Sequence, residues 1–148
     1  MNDGFTVGLT GTRNGVTDAQ RRALATMLRV LFGKGARALH VGVCVGSDAA
    51  AVKLAKPLGY RVVGRPGHIP HLVDAEALAL CDEAYPPEDT LERNRKIVEA
   101  AAVLVACPEA EEVVRSGTWS CVRAARRKGL PISVVWGDGR VTNEGAWK

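Results

Sequence analysis

Three short segments rich in glycine, serine and threonine have the composition of turns that hold phosphate groups. They are residues 10–13, 46–48 and 116–118, and each lies before or at the start of a predicted helix. Backbone N–H groups at a helix N-terminus are free to bind an anion, and the helix dipole favours negative charge there. One such segment fits an ordinary turn or helix cap equally well. Three of them at one edge of a sheet predict a pocket for a phosphate or a nucleotide.

The candidate residues in these segments offer backbone N–H groups, hydroxyl groups or a short polar or charged side chain. They are Thr10, Gly11, Thr12, Arg13, Gly46, Ser47, Asp48, Ser116, Gly117 and Thr118. The triplets at 10–12 and 116–118 are near-copies of each other, so we expect Thr12 and Thr118 to line one cleft. Asp48 has two interpretations: it accepts hydrogen bonds from ribose hydroxyls, or it stabilises a helix N-terminus.

Positive charge for an anionic ligand is available on the helix that contains residues 92–96. Arg93 and Lys96 are three residues apart and share a face, whereas Arg95 points elsewhere. An arginine side chain presents a planar fork that matches phosphate or carboxylate. The alternative is a solvated basic face that pairs with nearby glutamates. Two further candidates lie beyond the fourth predicted strand, Pro108 directly after it and Arg115 before the next helix.

The histidines and cysteines predict no metal site. His68 and His71 lie in a long loop within reach of a ligand, whereas His40 lies in an apolar strand and is expected in the core. No cysteine or carboxylate stands at metal-ligand spacing from them. The four cysteines form no C-x-x-C pair, which favours reduced thiols in a cytosolic protein. We therefore expect neither a metal nor a cofactor.

The elements that position these residues alternate between strands and helices. Short apolar runs predict strands at residues 5–10, 38–45, 60–64, 103–107 and 132–136. Helices are predicted from the Thr17 cap to Gly33, and at 46–58, 89–101 and 118–128. The proline-punctuated stretch 65–87 is a long loop that has room for a helical turn at 74–81, and residues 140–142 fold back as a short hairpin.

This alternation predicts an α/β fold: a Rossmann-like open, mostly parallel sheet of about five strands, with helices on both faces and a C-terminal hairpin. In such a sheet, ligands bind beyond the carboxyl ends of the strands, where the strand order reverses. With the strand order 3-2-1-4-5, the first and fourth strands flank that point. Both near-copy triplets would then face the same crevice.

Composition and charge exclude several classes of protein. The 148 residues are 47% hydrophobic and 24% charged, ordinary values that exclude a disordered or fibrous chain. The length predicts a single domain, 1–148. No stretch approaches the roughly 20 apolar residues of a membrane span. The first residues are acidic before their apolar run, the reverse of a secretory signal, so a cytoplasmic protein is expected.

Four stretches, taken in order, resemble the SLOG superfamily of Rossmann-like domains. They are Gly8-Leu9-Thr10-Gly11-Thr12-Arg13, Gly42-Val43-Cys44-Val45-Gly46-Ser47-Asp48, Glu92-Arg93-Asn94-Arg95-Lys96-Ile97-Val98 and Arg115-Ser116-Gly117-Thr118-Trp119. The superfamily includes the Lonely Guy phosphoribohydrolases, the core of DNA-processing protein A, molybdenum cofactor carriers and nucleotide-sensing domains of bacterial defence. The resemblance spans residues 5–136 and is closest to small stand-alone SLOG proteins of phage and actinobacterial genomes.

The resemblance implies a phosphate-binding site and places Asn94 and Arg95 in it. Lonely Guy enzymes carry a P-G-G-x-G-T-x-x-E motif, whose Glu works with an upstream Arg to cleave an N-glycosidic bond. Arg95 matches that Arg, but Cys121 stands at the position of the Glu. A carboxylate from the loop at Glu109, Glu111 or Glu112 is the alternative. The phosphate-binding half of the site is thus kept, and the hydrolytic half lacks its expected carboxylate.

The sequence therefore predicts a binding protein for a nucleotide-derived small molecule, acting as a sensor, a carrier or a sequestering protein. The alternatives are a phosphoribohydrolase of Lonely Guy type, a molybdenum cofactor carrier and a nucleic-acid binder like DNA-processing protein A. A net charge of only +4 and the lack of an aromatic stacking series argue against nucleic acid. Related proteins are often homo-oligomers, so the resemblance also implies a dimer or tetramer.

Overall fold

The chain forms an α/β fold in the computed structural model, which describes residues 4–113 and 116–145. The strands are β1 (Phe5–Gly11), β2 (Ala36–Val41), β3 (Arg61–Gly64), β4 (Glu83–Ala84), β5 (Val103–Cys107), β6 (Ile132–Val135) and β7 (Val141–Glu144). The helices are α1 (Asp18–Gly33), α2 (Ser47–Leu58), α3 (Ala75–Leu80), α4 (Thr90–Ala100) and α5 (Gly117–Lys128). A 3-10 turn, Pro70–Leu72, lies in the loop before α3.

The strands form one sheet in the order β4-β3-β2-β1-β5-β6-β7. All neighbouring strands are parallel except β6 and β7, which form an antiparallel pair. The predicted open, mostly parallel sheet with a C-terminal hairpin is therefore confirmed. The order reverses between β1 and β5, which are hydrogen-bonded neighbours. Their carboxyl ends are where a sheet of this type binds ligands.

The hydrophobic core has two parts, one on each face of the sheet. Side chains alternate between the two faces along a strand. In β5, Val103 and Val105 belong to the cluster that contains the α1 leucines, whereas Leu104 and Ala106 pack with Trp119 and other residues of α5. Helices therefore cover both faces of the sheet, which explains why the central strands are almost uniformly apolar.

Helix α1 shows how the sequence sets both ends of an element and its packing. The Thr17 side chain accepts a hydrogen bond from the backbone N–H of Gln20, the N-cap predicted from the sequence. Leu24, Leu28 and Leu31 are buried at helical spacing. The Gln20 side chain is also buried, and its amide nitrogen donates to Pro108 O (3.1 Å) and Val135 O (2.9 Å). Gln20 thereby joins α1 to the carboxyl ends of β5 and β6.

Two predicted strand boundaries were wrong. The second strand was expected to continue to Val45, but β2 ends at Val41. After Gly42 the backbone turns at Val43, whose φ of 57° is left-handed. The chain then pairs with the 3-10 turn, since Val45 N–H donates to Leu72 O. The fifth predicted strand was expected to include Trp136, but β6 ends one residue earlier.

The long loop contains two elements, of which one was expected. The helical turn foreseen at 74–81 is α3, which Asp74 caps by accepting from Ala77 N–H. The two-residue strand β4 was missed because two exposed residues carry no periodic signal. Among the helices of residues 4–113 and 116–145, none is long and apolar enough to cross a membrane.

Gln20→Ala tests the link between α1 and the sheet. The substitution leaves two buried carbonyl oxygens without their donor, and each unsatisfied buried group costs about 1–3 kcal/mol. We expect the free energy of unfolding to fall by about 2–4 kcal/mol in chemical denaturation. Thr26→Ala on the exposed face of the same helix is the control and should change it by less than about 0.5 kcal/mol. Equal effects of the two substitutions would contradict the assigned role of Gln20.

Candidate functional site

A cleft of about 460 Å³ lies at the carboxyl ends of β1, β2 and β5. The turn after β1, the start of α2, one face of α4 and the start of α5 contribute to its lining. Ten predicted site residues line it: Thr10, Gly11, Thr12, Arg13, Asp48, Arg93, Asn94, Ser116, Gly117 and Thr118. The reversal of strand order between β1 and β5 thus brings the two near-copy triplets into one cleft.

The turn after β1 is held by backbone hydrogen bonds on both sides. Thr12 N–H donates to Cys107 O at the end of β5 (2.9 Å), and Thr12 O accepts from Ser47 N–H at the start of α2 (2.9 Å). The Thr12 hydroxyl oxygen also accepts from Asn14 N–H (3.1 Å). Arg13 follows on the rim of the cleft, exposed and without an ion-pair partner among the residues described.

The start of α5 presents unused hydrogen-bond donors to the cleft. Ser116 caps the helix by accepting from Trp119 N–H (3.3 Å), and Asn94 Nδ2 donates to Gly117 O (3.3 Å). The backbone N–H groups of Gly117 and Thr118 have no partner within the described part of the chain. A Cβ placed on Gly117 would meet no atom within 4 Å. An anion can therefore reach these two N–H groups.

The start of α2 is closed by the chain itself. Ser47 is fully buried, and its N–H is used by Thr12 O. A Cβ on Gly46, whose φ is +95°, would lie 2.4 Å from Thr12 O, and a Cβ on Gly11 would lie 1.9 Å from Ser47 Oγ. Glycine is needed at both positions for close packing of two backbone segments. The structure therefore does not bring Gly46 and Ser47 into the cleft, although both were predicted site residues.

Asp48 is a buried carboxyl group that lines the cleft. Its Oδ2 accepts from Cys44 N–H (3.2 Å), while its Oδ1 has no hydrogen-bond partner among the described residues. Burial raises the pKa of Asp48 to about 6, and the nearby guanidinium of Arg93 opposes that rise. The loss of hydration on burial exceeds the attraction to one cation.

Arg93 lies beside Asp48 and is also buried. Its Nε donates to Asn94 Oδ1 (2.9 Å), and its Nη1 donates to Gly42 O (3.1 Å) and Arg65 O (3.2 Å). A Cβ on Gly42 would lie 2.1 Å from Nη1, so only glycine leaves room for the guanidinium. The main role of Arg93 is therefore to link the loops after β2 and β3. The rest of its side chain lines the cleft.

Two other predicted site residues, Arg95 and Pro108, lie elsewhere in the structure. Arg95 is on the exposed face of α4, where its guanidinium pairs with Glu92 and Glu99, because two positions along a helix turn a side chain away from Arg93. Pro108 is buried below the cleft, with its carbonyl bound to Gln20. Arg115 lies outside the described residues.

Sequence reasoning missed one wall of the cleft. Gly67, Ile69, Leu72 and Val73 form that wall from the long loop. The loop before α5 also lines the cleft, and it includes Glu109 and Glu111, which the sequence offered as alternative carboxylates. The wall is held in place by antiparallel pairing of Val73 with Cys44. Its only sequence signal is the short apolar run among prolines, which also fits an ordinary loop.

Burial disfavours the thiolate form of Cys44 and Cys121 and the charged form of His40. Burial raises the pKa of Cys121 to about 12, and Cys121 is fully buried. Burial also raises the pKa of Cys44, the cysteine that lines the cleft. His40 is half-buried, and burial with Arg65 lowers its pKa to about 4. Within the described ranges, no group of three His, Cys, Asp or Glu side chains could hold a metal ion.

Asp48→Asn tests the buried carboxyl group through pH. The pKa of Asp48 rises from 3.8 to about 6 on folding, so its ionisation disfavours the folded state above pH 6 by about 3 kcal/mol. This cost is absent below pH 3.8 and grows as the pH rises to 6. Relative to the unmodified chain, Asp48→Asn should gain roughly 2–2.5 kcal/mol of unfolding free energy between pH 4 and pH 7. A difference that stays constant with pH, measured by denaturant titration, would rule out a buried ionisation.

Solved structures share this fold. The molybdenum cofactor binding protein from Rippkaea orientalis matches with a TM-score of 0.69 at 20% identity, over 90% of this chain and 77% of that one. The Moco carrier protein from Chlamydomonas reinhardtii matches with a TM-score of 0.66 at 19% identity, over 88% and 75%. DNA processing protein A from Helicobacter pylori, described as binding single-stranded DNA, matches with a TM-score of 0.66 at 19% identity, over 89% and 65%.

The sequence comparisons are negative: no protein-family model matches the chain, and no curated protein matches it. Assignment to the phage or actinobacterial subgroup stays a prediction. The structural likenesses, at 19–20% identity, bear on the fold alone. The chain shares the fold of these solved structures, a Rossmann-like α/β fold of the kind that the resemblance of its sequence motifs predicted.

Proposed function

We propose that this chain binds a nucleotide-derived small molecule in the cleft, with its phosphate at the start of α5. The observation that carries this proposal is the pair of unpartnered N–H groups at Gly117 and Thr118, with open space above Gly117. They begin a helix of 12 residues, whose dipole adds to the attraction for an anion. Arg13 on the rim of the same cleft supplies a cation that has no carboxylate partner among the described residues.

The apolar part of the lining suits the rest of such a ligand. Ile69, Leu72 and Val73 line the cleft together with its polar residues. A volume of about 460 Å³ lies within the roughly 300–1,000 Å³ of small-molecule sites. A flat heterocycle against the apolar wall would leave the phosphate free to reach α5. Asp48, with one unpartnered carboxylate oxygen, is the acceptor available for a ribose hydroxyl.

The named functions of the structural neighbours support a small-molecule ligand. Two of them are described as a binder and a carrier of the molybdenum cofactor. Carriage of that cofactor would be the same kind of binding, with a pterin as the ligand. The alternative of a phosphoribohydrolase has less support, because Cys121 occupies the expected carboxylate position and is fully buried. Glu109 and Glu111 line the cleft, whereas Glu112 pairs with Arg123 and Arg126.

Gly117→Val tests the phosphate site. The valine side chain would occupy the space that the phosphate needs, while a backbone in the ordinary helical region accepts valine. Isothermal titration calorimetry with AMP, GMP, CMP and UMP should show micromolar binding of at least one. Adenosine or the matching nucleoside should bind at least tenfold more weakly. Gly117→Val should weaken the best monophosphate at least tenfold.

Gly33→Val is the matched control, because Gly33 also has no neighbour within 4 Å of a Cβ but lies at the end of α1. It should leave the affinity unchanged. The proposal fails if no monophosphate binds, or if nucleoside and monophosphate bind equally well. It also fails if both glycine variants weaken binding to the same extent.

A second prediction separates binding from hydrolysis. Cleavage of an N-glycosidic bond requires a carboxylate that activates water or stabilises the oxocarbenium-like centre. The buried Cys121, with its pKa raised to about 12, supplies neither. The test incubates AMP, GMP or cytokinin-type monophosphates with the protein at high concentration for hours. We expect chromatography to detect neither free base nor ribose 5-phosphate. Turnover that disappears in Arg95→Ala or Glu109→Gln would instead establish a hydrolase.

A further inference from the structure

Two segments of the chain are strongly basic. Residues 13–37 contain six basic residues and one acidic residue, a net charge of +5, and residues 113–137 contain five basic residues and no acidic residue, also +5. In the second segment, Arg123 and Arg126 pair with Glu112 and Glu144. The first segment consists of α1 and its two flanks, and its basic residues are Arg13, Arg21, Arg22, Arg29, Lys34 and Arg37.

Most of the basic residues described outside 13–37 form ion pairs, whereas those of 13–37 form none with another described residue. The ion pairs among described residues connect α2 with α3 and the loop after it, β3 with β4, and residues 88–144 with one another. None of these pairs includes a residue of 13–37. Arg21, Arg22 and Arg29 are exposed and have no hydrogen bond or ion pair from their side chains to another described residue. We call these three arginines the basic face.

Two of the three arginines of the basic face lie in a row along α1. Arg22 and Arg29 are seven residues apart, which places them on the same side of the helix and about 10.5 Å apart along its axis. Helix α1 connects two neighbouring parallel strands, so it begins at the same edge of the sheet as the cleft. The row therefore starts near Arg13 and extends away from the cleft.

We infer that the basic face binds the phosphate backbone of duplex DNA without reading its sequence. Arginine guanidinium groups match phosphate oxygens in both geometry and charge. A single strand is bound through stacking aromatic side chains, and the exposed side of α1 has none. A membrane-surface helix inserts Trp, Phe or Leu, whereas Val30 is the one large apolar residue exposed on α1. A duplex, with its bases stacked inside, fits a face that offers charge alone.

The test compares two triple variants that lose the same charge. Arg21, Arg22 and Arg29 are changed to Gln in one, and Arg61, Arg95 and Arg127, which are exposed elsewhere, in the other. Fluorescence anisotropy measures binding to a labelled 20-base-pair duplex at several salt concentrations. The first variant should bind at least tenfold more weakly at 50 mM salt, and its salt dependence, as the slope of log K against log salt, should fall by about 2–3. The second should stay within threefold of the unmodified chain.

Two further variants and two further ligands complete the test. Changing Arg21, Arg22 and Arg29 to Lys keeps the charge and should retain affinity within threefold, which guards against misfolding of the Gln variant. Gly117→Val should not alter DNA binding, so this inference can fail while the proposed function holds. Equal losses in the two Gln variants, or no duplex binding by the unmodified chain, would overturn it. Tighter binding to a single strand of the same length, or to phosphatidylserine vesicles, would also overturn it.

Discussion

The buried guanidinium of Arg93 links four segments of the chain beneath the cleft. It binds the carbonyls of Gly42 after β2 and of Arg65 after β3, and through Asn94 it reaches the carbonyl of Gly117 at the start of α5. These contacts hold loops from both faces of the sheet at one place. They also fix the positions of the N–H groups that the proposed phosphate site needs. Burying a cation is costly without partners, so its contacts with several acceptors and with the charge of Asp48 are what make this arrangement stable.

The three glycine-rich segments have separate physical roles, although they look alike in sequence. The turn after β1 and the start of α2 bind each other, with Gly11 and Gly46 allowing two backbones to approach. The start of α5 keeps its N–H groups unused, and space remains above Gly117. Contacts within the chain therefore occupy the N-terminus of α2, whereas the N-terminus of α5 remains available to a ligand. This division explains how one sheet edge combines a rigid base with an open binding surface.

Periodicity, helix caps and the candidate motifs were enough to predict the sheet, its order around β1 and β5, and ten of the residues that line the cleft. The prediction of site residues failed where tertiary contacts determine whether a side chain is buried, paired or free to bind a ligand. Arg93 and Arg95 both look like ligands for an anion, but one is buried and the other pairs with Glu92 and Glu99. Ser47 looks like a phosphate ligand, but its N–H already has a partner. The apolar wall at 69–73 could not be found because its pairing with Cys44 is long-range and leaves no local pattern.

The account depends most on phosphate contacting the start of α5, and amide chemical shifts report on that contact directly. Titration of the isotope-labelled chain with the best-binding nucleoside monophosphate, and separately with its nucleoside, can be followed by two-dimensional nitrogen–proton NMR. We predict that the amide signals of Gly117 and Thr118 shift downfield with the monophosphate, because their N–H groups gain a charged acceptor, and stay within a small fraction of that shift with the nucleoside. Shifts confined to other parts of the chain, with Gly117 and Thr118 unmoved at saturation, would contradict the account.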